Sequence, residues 1–127
     1  MPIVGFNIDK ILAEKKEIPK DKINISTNLK ITEVSQDKLQ LQKTEDILRF
    51  DFEFDVQYEP KVGNILIGGH ILFLEDPKEI KNIMKEWKKD KKIDQKIMQQ
   101  LFNAILIRCN IKALSLSQDV NLPPHLN

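Results

Sequence analysis

The sequence predicts an α+β fold: an antiparallel β-sheet of about four strands in the N-terminal part, packed by two C-terminal α-helices. Three observations predict it. From Leu48 to Tyr58 apolar and polar residues alternate without a slip, the period-two pattern of a strand with one face on a core and one in water. Asp76-Pro77-Lys78-Glu79 combines an N-cap acid, a proline at the first helical position and a glutamate at the third, three agreeing signals for a helix start. All the strand patterns precede the helical ones, an order that argues against a βαβ-wound parallel sheet.

A chain of 127 residues with 41% apolar and 31% charged residues is globular rather than disordered. At that size, folding can bury roughly two-thirds of the surface that the unfolded chain exposes. One domain, residues 1–127, is expected. Cys109 is the only cysteine, which excludes a disulfide framework and a thiolate metal cluster and fits a reducing, cytoplasmic compartment. Purely apolar runs reach only about four residues against the roughly 20 needed to span a bilayer, so no membrane span is expected. The net charge of +1 argues against a dedicated nucleic-acid binder but hides an asymmetry. Six acids and one arginine lie between Glu45 and Glu59, and seven lysines and three acids between Lys78 and Lys92. Such blocks are either two solvated faces or one face complementing the other.

Ile3 to Glu14 reads as a first strand through Val4, Phe6 and Ile8, although its later residues are ambiguous. Ile23, Ile25, Leu29 and Ile31 alternate with polar residues and predict a half-buried strand. A polar stretch from Glu33 to Lys38 follows, then Leu39-Gln40-Leu41-Gln42, which fits a strand extension or a loop. Glu59-Pro60-Lys61-Val62-Gly63-Asn64 carries hairpin turn residues, so Ile65 to Leu74 should pair with the preceding strand. That strand is apolar on both sides. Ile65, Ile67, Ile71 and Phe73 serve one face, and Leu66, Leu72 and Leu74 the other; a strand of this kind wants cover on both faces.

Ile80, Ile83, Met84 and Trp87 form one helical stripe, and Lys88 to Lys92 reads as a basic linker. A second helix should run from near Asp94 to about Ser117. Ile97, Met98, Leu101, Phe102 and Ile105 share one side early on. Later, Ile107, Ile111 and Leu114 add apolar area away from the Leu106, Cys109, Ala113 and Leu116 stripe. Pro123-Pro124 forces Leu122 out of the helical region and leaves an extended tail.

No catalytic, metal or cofactor site is expected. Asp51, Glu53 and Asp55 project from one side of a strand at spacings of about 7 Å, and with His70 they could hold a hard metal or set up an acid and a base. Like charges on a solvent face are the commoner meaning, and no ligand loop accompanies them. Gly68-Gly69 matches neither phosphate-loop pattern and reads as a sheet bulge or a close backbone approach. Cys109 belongs to an apolar helix as a small buried hydrophobe. Lys85, Lys88, Lys89, Lys91 and Lys92 near Trp87 have the ingredients of an RNA- or phosphate-binding patch, but Trp87 falls on the apolar stripe. What remains is apolar surplus. Leu66, Leu72, Leu74, Ile107, Ile111 and Leu114 exceed what one sheet with two helices needs, and surplus of this kind marks oligomer contacts or a groove for another chain's apolar segment.

The stretch Leu101 to Ile111, in which aliphatic and aromatic residues reach Arg108 and then Cys109, resembles the main helix of the SecB protein-export chaperones. Val120-Asn121-Leu122-Pro123-Pro124 is similar to the leucine- and proline-containing tail that follows that helix, and the order of strands and helices agrees. The resemblance implies a homo-oligomer (the family forms dimers of dimers) that holds unfolded polypeptide in apolar grooves without ATP. The chain departs from the strongly acidic bacterial members in being near neutral with a basic helix, so an export role does not carry over.

Overall fold

A computed structural model describes residues 3–18, 22–37 and 46–126. Four strands, β1 (Ile3–Lys15), β2 (Asn24–Asp37), β3 (Asp46–Glu59) and β4 (Gly63–Glu75), precede two helices, α1 (Pro77–Asp90) and α2 (Gln95–Asp119). The sheet is antiparallel in the order β1-β4-β3-β2. The predicted fold class is therefore the observed one, and Leu39 to Gln42 lie outside the described residues.

β3 behaves as its alternation requires. Leu48, Phe50, Phe52, Phe54, Val56 and Tyr58 are buried, and across the ladder they meet Phe73, Ile71, Gly69, Ile67, Ile65 and Gly63 of β4. Both helices pack on this face, so Ile80, Ile83 and Trp87 of α1 and Leu101, Ile105, Cys109 and Ala113 of α2 join the sheet residues in one core.

The two outer strands are less regular. In β1, Ile3 stands opposite Phe73, Phe6 and Ile8 opposite Ile71 and Gly69, and Ile11 and Ala13 opposite Ile67 and Ile65, with register shifts between Ile3 and Gly5 and between Ile8 and Lys10. Each bulge changes which parity faces the core, and this accounts for the ambiguous later residues. β2 extends beyond the predicted Ile31. A shift between Ile31 and Glu33 lets Val34 stand opposite Phe50 and become buried, so most of the polar stretch after Ile31 is strand.

α1 starts where predicted, with Asp76 Oδ1 accepting from the Lys78 amide at 3.2 Å. The Asp76 amide itself donates to the neighbouring Glu75 carboxylate at 2.9 Å, so Glu79 does not complete a reciprocal capping box. Asp76→Ala is expected to lower stability by about 1 kcal/mol, read from the denaturant midpoint. The basic linker is shorter than predicted. α1 continues through Asp90, and Lys91 caps it in the left-handed conformation (φ 55°) with its amide on the Trp87 carbonyl. Cys109 is fully buried, and burial pushes its thiol pKa up to about 11.

Candidate functional site

The sheet face opposite the helices carries the first set of surplus residues. Leu66, Leu72 and Leu74 are half-buried, and the register shows what surrounds them. Leu74 pairs with Ile47, and Leu72 with Arg49 on one side and Gly5 on the other. The next two rows are polar: Asp51, His70 and Asn7, then Glu53, Gly68 and Lys10. Beyond them Leu66 pairs with Asp55 and Leu12. The three leucines therefore do not form one patch. Leu72 and Leu74 join Ile47 at one end, while Leu66 joins Leu12 six residues away, about 20 Å along the strand. Leu12 and Ile47 were not expected on this face, because the β1 bulges and the start of β3 disguise their parity.

The polar band is internally satisfied. Asn7 Nδ2 donates to His70 Nε2 at 3.2 Å, and His70 Nδ1 donates to Asp9 Oδ2 at 2.6 Å. Arg49 Nε donates to Asp51 at 2.9 Å, Gln57 to Asp55 at 2.9 Å, and Lys30 Nζ lies 3.9 Å from Glu53. Among the described residues no group of three or more His, Cys, Asp or Glu side chains could hold a metal ion. Gly68-Gly69 serves both predicted purposes. The second β1 bulge lies opposite it, and a Cβ on Gly69 would run into the Asn7 carbonyl oxygen and stand 2.9 Å from the Phe52 ring.

The second set lies on α2. Leu101, Ile105, Cys109, Ala113 and Ser117 are buried at intervals of four, and at about 100° per residue the line opposite runs through Ile107 and Ile111, while Leu114 falls on the flank beside Ser117. Ile107 is 64% and Ile111 67% exposed, whereas Leu114 is half-buried. Among the described residues no other element covers Ile107 and Ile111. α2 lies on the core face of the sheet, so its outward stripe and the leucines of the opposite sheet face occupy opposite sides of the molecule. The six surplus residues are two surfaces and not one site.

The lysines divide as well. Lys85, Lys88 and Lys89 are exposed on α1, and Lys92 is exposed beyond its end. Lys91 places Nζ 5.0 Å above the Trp87 ring. Trp87 is only 6% exposed, and its Nε1 donates to Glu33 Oε1 at 3.2 Å. The Val34 amide and then the Trp87 indole hold the Glu33 carboxyl below its usual range. A cleft of about 560 Å³ between α1 and the start of α2 contains Lys85 and Lys89 but also Glu79, Glu86 and Asp94, so its charge is mixed. The acidic rows and the lysine-rich helix lie on opposite faces of the sheet as separate solvated surfaces.

The chain end adds a feature that its proline-rich composition did not announce. Tyr58 Oη donates to the Pro123 carbonyl at 2.7 Å, Leu122 is 6% exposed, and the His125 ring stands edge-on to Phe54 at 6.1 Å. His125 Nε2 donates to Asn110 Oδ1 at 2.9 Å. Burial pushes the His125 pKa below its ordinary 6.5. A released tail would bind a proton more readily than the docked one, so docking is favoured above about pH 6.5 and weakens as the pH falls through that value toward the lower docked one. An NMR titration of His125 should accordingly place its midpoint below that of an unfolded-state histidine.

No helix of the described residues is long and apolar enough to cross a membrane. No protein-family model matches the sequence, and neither does any curated protein. Among solved structures the chain is similar to the SecB-like chaperone Rv1957 of Mycobacterium tuberculosis, solved in complex with a ChAD peptide from the Rv1956 HigA1 antitoxin. The two share a TM-score of 0.61 and 14% identity over 97% of this chain and 85% of that one. The four-stranded antiparallel sheet followed by two helices is a SecB-like fold.

Proposed function

We propose that this protein is an ATP-independent, SecB-like binding protein that holds extended or unfolded polypeptide and works as a homo-oligomer in the cytoplasm. The observation that carries the reading is the stripe of Ile107 and Ile111, 64% and 67% exposed on the face of α2 directly away from its core. Fully burying an isoleucine is worth roughly 1.5–3 kcal/mol, so covering this pair recovers about 3 kcal/mol per chain. That is a sizeable incentive to meet another polypeptide. The likeness to a chaperone solved with a peptide supports the same reading. Leu114 beside the stripe, and Leu72 and Leu74 on the far sheet face, extend the apolar contact area; Leu66 with Leu12 is a smaller second patch.

No chemical step is assigned to the protein. Asp51, Glu53 and Asp55 are each engaged by neighbours, and Lys85 and Lys89 share their cleft with acids, which leaves polypeptide binding as the best-supported role. Light scattering should give a mass that is a multiple of 14.8 kDa, and the protein should delay aggregation of a chemically unfolded substrate without nucleotide. A 14.8 kDa species with no effect on aggregation would sink the reading.

A further inference from the structure

The segment after α2 adds no strand or helix, yet it completes the core side of the sheet. Trp87 of α1 reaches Glu33, at the end of the sheet where Val34 faces Phe50. Toward the other end, Tyr58 and Phe54 are met by the tail instead, through Pro123 and His125. Leu122 lies beside Gly63, its Cδ1 3.3 Å from where a Cβ would stand there. Asn110, the partner of His125, sits about two turns before the end of α2, so the tail doubles back along that helix. On its far side the same sheet face continues into β2, where Ile25 pairs with Tyr58 and Leu29 with Phe54; Ile25 is 37% exposed.

Beneath residues 120–126 there is thus an apolar trough, floored by Phe54 and Tyr58 and bordered by α2 and by Ile25 and Leu29. The tail lies in it as a bound peptide would, with a leucine buried and a backbone carbonyl taken by a tyrosine hydroxyl. The amides of Val120, Asn121 and Leu122 donate to the Leu116, Gln118 and Ser117 carbonyls at 3.2, 3.3 and 2.8 Å and so finish the helix end. Past Leu122, among the described residues, the polar contacts are those of Pro123 and His125. His125 Nδ1 is buried without a hydrogen-bond partner, which is unfavourable.

Resting on the polypeptide-binding reading, we propose that this trough is a binding groove for an extended apolar polypeptide and that the chain's own residues 120–126 are its resident occupant, displaced when a client enters. A client supplying a leucine-sized side chain and a carbonyl reproduces the contacts of Leu122 and Pro123 and need not bury an unpaired imidazole nitrogen. Tail and client therefore compete, and loosening the tail strengthens capture.

The test uses the full chain with reduced, carboxymethylated lactalbumin as a permanently unfolded client. Hydrogen exchange at the Leu122 amide reports the tail. His125→Ala is expected to raise exchange at Leu122 about tenfold and client affinity about fivefold with circular dichroism unchanged, and client binding to the unaltered chain should itself speed that exchange. A synthetic peptide of residues 118–126 should compete with the client, and Tyr58→Phe should weaken that peptide's competition. Client bound by both chains with Leu122 exchange unmoved overturns the groove and leaves polypeptide binding standing. No client bound by either form, the loosened-tail variant included, overturns both.

Discussion

Gly69→Ala is expected to be the most damaging single-methyl change in the sheet, lowering stability by about 3 kcal/mol and Tm by roughly 10 °C. The reason is backbone, which cannot rotate away. The new Cβ would overlap the Asn7 carbonyl oxygen of the neighbouring strand and press on the Phe52 ring, itself 2% exposed in the core. Relief requires β1 to move off β4, and the β1 bulge opposite Gly69 leaves little slack. The adjacent Gly68→Ala is the control. A Cβ there would find Lys10 Cβ at 3.6 Å and the Phe52 carbonyl at 3.8 Å, ordinary contact distances, and its stability should change by no more than about 0.5 kcal/mol. Equal midpoints for the two variants in a urea titration would show that β1 does not pack against β4 as described.

The double substitution Ile107→Asp with Ile111→Asp should separate binding from folding. Both side chains are about two-thirds exposed, so the isolated subunit should lose less than about 1 kcal/mol. A surface that has to bury two unpaired carboxylates, each costing several kcal/mol, should lose association by at least about a hundredfold. The expected result is a monomer of native circular dichroism that no longer delays aggregation. Leu72→Asp differs in kind: Leu72 is half-buried against Gly5, where a Cβ would stand 3.2 Å from its Cδ1, so both stability and association should fall. A double variant with unchanged mass and unchanged aggregation delay would remove the α2 stripe from the account.

The parts of the fold that could be read from residues alone are those in which one local rule governs a whole element. β3 keeps a single parity from Leu48 to Tyr58, and α1 announces itself by Asp76, Pro77 and the Ile80-Ile83-Trp87 stripe. β1 and β2 defeat the same reading because their bulges change parity within the strand, so Ile3, Phe6, Ile8 and Ile11 share a face that no constant period connects. For the candidate site, composition revealed the surplus but not its grouping. Leu66 is parted from Leu72 by two polar rows contributed by three strands, and pairing of β4 with β1 is invisible to any local window. The docked tail was hidden for a related reason: Leu122-Pro123-Pro124 has no periodicity, and its partners Tyr58 and Phe54 lie more than sixty residues upstream.

Neighbours in the sheet differ greatly in their separation along the chain. β2, β3 and β4 follow one another as hairpins, but β1 joins β4 through pairs such as Lys15 with Gly63 and Ile3 with Phe73, so a loop of about fifty residues must close before a single rung forms. Assembly of the meander costs little entropy and can come early, whereas the first strand has to wait for it. The strand made before the other three is thereby the last to be incorporated, and until then one long edge of β4 stays open to any other strand that reaches it.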